Sequence, residues 1–192
     1  MNKKTIALTE EQYKNIISTM RTGFVCPDGH IVKPNKKIAT ALTLEANLGL
    51  RISDILNLKL ADIVRDGERY RLDITEQKTK KARTFTVIPA IYDFLIEYAA
   101  KNDLGFNTRL FDISERAVQK QLKIICDFLG FENVSTHSFR KFYATQMYQN
   151  NNYDIELVRI LLQHSNAAIT QKYIGISPQR VEQALQNHNM II

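Results

Sequence analysis

Residues 135–145 read STHSFRKFYAT, residues 161–165 read LLQHS, and residues 170–175 read TQKYIG. These three pieces interrupt a helical, apolar pattern with a small set of polar groups. His137 and Arg140 stand three apart, so on a helix they share one face. His164 closes a run of Leu and Ile, and Tyr173 follows nine residues later. Phe139, Phe142, Leu157, Ile160 and Leu161 fall at helical spacing and are expected in the core. The reading of this stretch as helices carrying His, Arg, His and Tyr organises the rest of the chain.

Composition bounds what the chain can be. It has 192 residues, room for one domain with a real core. Apolar residues make up 44 %, which fits a globular fold rather than a disordered one. Lys and Arg outnumber Asp and Glu by 26 to 20, for a net charge of +6. That excess permits a polyanionic partner without proving one. Cys26 and Cys126 are far apart and make no disulfide framework. Glu10 and Glu11 break the apolar run that a signal peptide needs after Lys3-Lys4. No stretch has the length of a membrane span. A soluble protein of a reducing cytoplasm is the expectation.

Residues 1–8 are a polar lead-in. Thr9 and Gln12 resemble a capping box for a helix to about Met20, with Tyr13, Ile16, Ile17 and Met20 on one face. Gly23, Pro27, Gly29 and Pro34 predict a loop or short ribbon over 22–35. Cys26 and His30 lack the two further ligands a structural zinc site needs, so a turn at Pro27-Asp28-Gly29 is the reading. A helix over 36–48 stops at Gly49. Ser53 is expected to cap the next helix, presenting Arg51 at the break. The period then changes. Ile63-Val64, Tyr70 to Ile74 and Phe85 to Ile88 read as three antiparallel strands, with a basic turn at 76–83 carrying Lys78, Lys80, Lys81 and Arg83. Helices follow from Pro89, after Ser114, over 137–150, after Asp154, over 167–174 and after Ser177-Pro178. The fold class is therefore mainly α with a small three-stranded antiparallel sheet.

The ordered polar set now extends upstream. Residues 48–54 read LGLRISD, and Gln77-Lys78-Thr79 lies in the basic turn. With His137, Arg140, His164 and Tyr173, this resembles the catalytic domain of the tyrosine recombinase, or phage integrase, family. The resemblance runs from about Thr9 to Gln186. It departs at Gln163, where the family usually has Gly, and at Asp54, where Glu is commoner. It implies six catalytic positions, Arg51, Lys78, His137, Arg140, His164 and Tyr173, with Asp54 in support. It also implies a family fold over residues 9–192 without the N-terminal core-binding domain that family members usually carry.

The chemistry the family performs needs these residue types. Attack on a phosphodiester concentrates charge on the non-bridging oxygens, which paired guanidiniums can clamp. Arg51 and Arg140 are the candidates. A phenol has a reference pKa near ~10 and needs a base or cations to lose its proton. His137 is the implied general acid/base, Lys78 the implied donor to the departing 5′-oxygen, and His164 a phosphate ligand. Tyr173 would carry the cut strand as a 3′-phosphotyrosine, which reseals without ATP. No metal ion or other cofactor is expected, and no Walker sequence occurs. The implied partners are double-stranded DNA and further copies of the chain, a tetramer on DNA that is weakly associated without it. Lys80, Lys81, Arg83 and Lys141 are expected to touch the DNA backbone. The last helix, residues 178–187, and the apolar end at Met190-Ile191-Ile192 are expected to dock on a neighbouring protomer or on the chain itself.

Each residue alone has a plainer explanation. Arg51 and Asp54 could be a surface ion pair, His137 a helix cap, His164 a C-terminal cation and Tyr173 a packed ring. Their joint order and spacing favour the catalytic reading. Two alternatives share the scaffold: a type IB topoisomerase-like enzyme, and a catalytically silent DNA-binding regulator.

Overall fold

Helix α1, Glu10–Thr22, begins where Thr9 and Gln12 satisfy each other. The Gln12 N–H donates to Thr9 Oγ1 at 3.1 Å, and the Thr9 N–H to Gln12 Oε1 at 3.0 Å. Both would otherwise be orphan donors at a helix start. The computed structural model describes residues 5–174 and residue 186. The expected last helix and its apolar end lie outside that range, Gln186 excepted.

After α1 the chain makes a short ribbon, β1 (Phe24–Val25) with β2 (Ile31–Val32). Its tip is the expected turn. The Cys26 N–H donates to the His30 carbonyl at 2.8 Å, and the His30 N–H to Asp28 Oδ1 at 3.0 Å. Helix α2, Lys36–Leu48, runs through the centre, packed on α1 and on α6 (Thr136–Asn150). It ends at Gly49, which is left-handed at φ 60°. Helix α3, Ile52–Asn57, starts two residues earlier than expected, because Arg51 rather than Ser53 occupies the cap. Arg51 is extended, and its carbonyl accepts from the N–H groups of Asp54 and Ile55. Ser53 is therefore inside the first turn.

The sheet has strands β3 (Ile63–Asp66), β4 (Arg69–Thr75) and β5 (Ala82–Val87), antiparallel in that order. Strand β5 begins three residues before the expected Phe85. Its register pairs Ile74 with Arg83 and Leu72 with Phe85. Arg83 thus belongs to a strand, and alternation puts it on the inward face with Val87. Helices α4 (Pro89–Lys101) and α5 (Glu115–Leu129) close the other side of the core. Helices α6, α7 (Ile155–Leu162) and α8 (Ala167–Ile174) complete the described chain.

Two apolar clusters hold these elements. The main one joins α1, α2, α3, the sheet, α4, α5 and the start of α6, with Phe139 and Phe142 in it as expected. A smaller one consists of Tyr143, Ala144, Val158, Leu162 and Ile174, with Tyr173 packed on its edge. Helix α7 differs from expectation here. Val158 and Leu162 are buried, Leu157 and Leu161 are half-buried, and Ile160 is 58 % exposed. Ile160 lies one turn after Glu156 and beside Arg159, on the outward face that this ion pair marks.

Candidate active site

The α2–α3 break is built around the Gly49 carbonyl. Arg140 Nη1 donates to it at 2.8 Å and Arg83 Nη2 at 3.5 Å. The same guanidiniums reach the end of α7, where the last carbonyls have no partner within the helix. Arg83 Nη2 donates to the Leu161 carbonyl at 2.7 Å and Arg140 Nη2 to that of Leu162 at 3.0 Å. Positive groups at a helix C-terminus also complement its dipole. Gln163 caps α7 in the left-handed region and sends its amide to the Ala82 carbonyl at 3.1 Å. This turn delivers His164 inward, where it is 8 % exposed.

Of the six predicted positions, His137, His164 and Tyr173 meet directly, and the charges of Arg140, Arg51 and Lys78 reach His137. Helix α6 places His137 in its first turn and Arg140 one turn on. Helix α8 brings Tyr173 back over them, and the Tyr173 hydroxyl and His137 Nε2 form a short hydrogen bond within one chain. The Tyr173 ring also meets His164 edge-on, with centroids 4.6 Å apart. His164 Nδ1 and Thr170 Oγ1 are 3.0 Å apart, which orients the imidazole from α8. Arg51 projects from the α2–α3 break, and Lys78 sits in the exposed turn between β4 and β5.

The charges of this cluster act on its histidines. Burial, joined by the positive charges of Arg140, Lys141, Arg51 and Lys78, pushes the His137 imidazole down to about 4. Burial, with Arg140, Arg51, His137 and Arg83, does the same to His164, also to about 4. Both rings are therefore neutral near pH 7. Burial first, then the neighbouring Arg83 and Arg51 charges, lowers Arg140 to about 10.

Two expected DNA contacts are not on the surface. Arg83 is 2 % exposed, and its Nη1 pairs with Glu76 Oε1 at 3.0 Å. It is a buried brace, because the strand starts early and turns it inward. Lys141 is 8 % exposed and donates to the Thr5 carbonyl at 2.6 Å. It lies four residues after His137, on the same inward face of α6. Its Nζ stands 5.6 Å from the centroid of the Tyr173 ring. Lys80 and Lys81 remain exposed in the turn.

The supporting carboxylate also differs from the plainer reading. Asp54 is 3 % exposed and does not pair with Arg51; its Oδ1 accepts the Gln77 N–H at 2.7 Å. Arg51 instead donates to Glu76 Oε2 at 2.5 Å. Burial alone would raise the Glu76 carboxyl, but the hydrogen bonds from Thr79, Arg51 and Arg83 outweigh it and hold it at about 2. Glu76, which joins Arg51, Thr79 and Arg83, is the one member of this network that the sequence did not single out. Its only sequence signal was its place at the head of the basic turn. Among the described residues, no three His, Cys, Asp or Glu side chains converge as metal ligands, and no helix is long and apolar enough to cross a membrane.

Comparison with known proteins bears on the family and the fold. The profile of the phage integrase family matches residues 7–180. A probable integrase/recombinase YoeC of Bacillus subtilis is 32 % identical over 154 residues, covering 77 % of this chain and 82 % of that protein. A tyrosine recombinase XerC of Caldanaerobacter subterraneus is 29 % identical over 193 residues, covering 95 % of this chain. The chain spans about half of that XerC, 51 % of its length. Among solved structures, XerH recombinase bound to its difH substrate superposes over 96 % of this chain and 55 % of its own, with a TM-score of 0.67 at 22 % identity. The catalytic domain of bacteriophage HP1 integrase superposes over 97 % of both chains, with a TM-score of 0.63 at 18 % identity.

Proposed function

Because the chain belongs to the phage integrase family, we propose that it is a tyrosine-type site-specific recombinase, cutting and rejoining DNA through a covalent 3′-phosphotyrosine. The observation that carries this is the Tyr173–His137 hydrogen bond beside buried guanidinium groups. A neutral His137 can accept the phenolic proton through Nε2 as the Tyr173 oxygen attacks phosphorus. The Tyr–O–P bond forms and the P–O5′ bond breaks. Lys78 supplies the proton to the departing 5′-oxygen. Arg51 and Arg140 stabilise the charge gathered on the non-bridging oxygens, and His164, oriented by Thr170, adds a hydrogen bond to the phosphate. Attack by a 5′-hydroxyl reverses these steps and reseals a strand.

Arg140 is 0 % exposed, with both terminal nitrogens on carbonyls. A phosphate reaches it only after the groups that cover it shift. Lys80 and Lys81 are the proposed backbone contacts of the duplex, which would position DNA without reading its sequence. Assembly of several copies on DNA belongs to the same proposal.

A nicked duplex that loses its 5′-product after cleavage tests the reading. The wild-type chain should accumulate a covalent DNA adduct, and Tyr173→Phe should form none. Absence of adduct with the wild type, or an undiminished adduct with Tyr173→Phe, overturns the mechanism.

A further inference from the structure

The turn that carries Lys78 and the loop that carries Arg51 come from distant parts of the chain, yet one carboxylate joins them. Glu76 Oε2 accepts from Arg51 Nη1 at 2.5 Å and from Thr79 Oγ1 at 2.6 Å. Its other oxygen accepts from Arg83 Nη1 at 3.0 Å. Its backbone closes the turn: the Glu76 N–H donates to the Lys81 carbonyl and the Lys80 N–H to the Glu76 carbonyl, both at 3.0 Å. On the other side of Lys78, the Gln77 N–H donates to Asp54 Oδ1 at 2.7 Å. Lys78 thus stands between two anchored residues, and both anchors lead to the start of α3.

We propose that Glu76 is a positioning residue, holding the Arg51 guanidinium and the Lys78 turn in one register so that both reach the same phosphate. This rests on the recombinase reading above. Glu76 does not compete for the phosphate's place. Its side chain is 1 % exposed while that of Arg51 is 21 % exposed, so the carboxylate backs the guanidinium from inside. Only one N–H of Arg51 is used by Glu76, and the others can face a ligand. Thr79 and Arg83 share with Arg51 the work of keeping Glu76 ionised, and Arg83 does so from the buried side. Such support matters because a catalytic group displaced by about 1 Å can lose up to ~10²-fold in rate.

Two variants and two substrates test this. Thr79→Val removes the link between Glu76 and the Lys78 turn, with the weaker 3.4 Å bond from the Lys81 N–H inside that turn, at an exposed residue where folding is not at stake. Glu76→Gln weakens both links. Each is assayed for adduct formation on a nicked duplex with an ordinary 5′-oxygen and on one with a bridging 5′-sulfur. A thiolate leaves without needing a proton, so the sulfur substrate hides a fault at Lys78 alone. Thr79→Val should lose roughly three- to tenfold on the oxygen substrate, the worth of one hydrogen bond, and recover on sulfur. Glu76→Gln should lose more and recover only in part, because Arg51 also loses its anchor. Wild-type rates for Thr79→Val on oxygen, or an equal loss on both substrates, overturn the proposal. So does full recovery of Glu76→Gln on sulfur. If Glu76→Gln fails to fold, the Thr79→Val pair decides. No adduct from the wild type on either substrate removes the recombinase reading itself, and this inference with it.

Discussion

Replacing Arg83 by Met separates two roles that a basic turn residue could have. In the structure Arg83 is 2 % exposed and joins Glu76, the Leu161 carbonyl and the Gly49 carbonyl. Removing it strips a buried carboxylate of one cation and leaves a carbonyl at the end of α7 without a donor. Breaking a buried pair from one side costs about 3–5 kcal/mol. Glu76 keeps Arg51 and Thr79, which places the expected loss toward the lower end. That is a large part of a domain's ~5–15 kcal/mol. Urea unfolding measures it. DNA affinity across a salt series measures the other role: each neutralised phosphate adds ~0.9 to the slope of log K against log salt. Arg83→Met should leave that slope unchanged, while Lys81→Met lowers it by about one unit. An Arg83→Met chain within about 1 kcal/mol of the wild type, with a slope reduced by about one, refutes the assignment of Arg83 as a brace.

Acid should destabilise the fold through its histidines. Both His137 and His164 are held at about 4 in the folded chain, against an ordinary 6.5. Between those values the unfolded chain binds the more protons, so stability falls as pH drops from 6.5 toward 4. Solvent screening at the half-buried His137 leaves roughly 1–3 kcal/mol per ring. His164→Gln should lose less stability than the wild type between pH 7 and pH 5 in urea melts; an equal loss contradicts this. Glu45 works at the other end of the scale. It is 0 % exposed, and burial raises its carboxyl well above the usual range against the pull of Arg140. Its contribution is therefore lost as pH rises from the ordinary carboxylate range through its raised pKa, and Glu45→Gln should flatten that decline. Gly49→Ala should cost at least ~1–3 kcal/mol and slow adduct formation, since a Cβ there would lie 2.3 Å from the Tyr143 ring at a left-handed φ of 60°. Thermal unfolding matching the wild type would show that the Gly49 carbonyl is not the fixed point it is described as.

What could be read in the linear chain was local. The Thr9/Gln12 capping box, the stop at Gly49, the caps at Ser114 and Asp154, and the period change at the sheet all depend on neighbours within four residues or so. The order and spacing of Arg51, His137, Arg140, His164 and Tyr173 belong to the same class, because a family's chemistry leaves its residue types in line. Burial did not. Arg83, Lys141 and Ile160 were misplaced because the facing of a side chain depends on where a strand begins and on which helix packs against it. Whether Arg51 pairs with Asp54, three residues away, or with Glu76, twenty-five away, depends on how β4 lies against α3. Charge alone cannot decide that, since either carboxylate would serve. Only the tertiary packing sets Glu76 between Arg51 and Arg83 and gathers α6, α7 and α8 so that both imidazoles are lowered together.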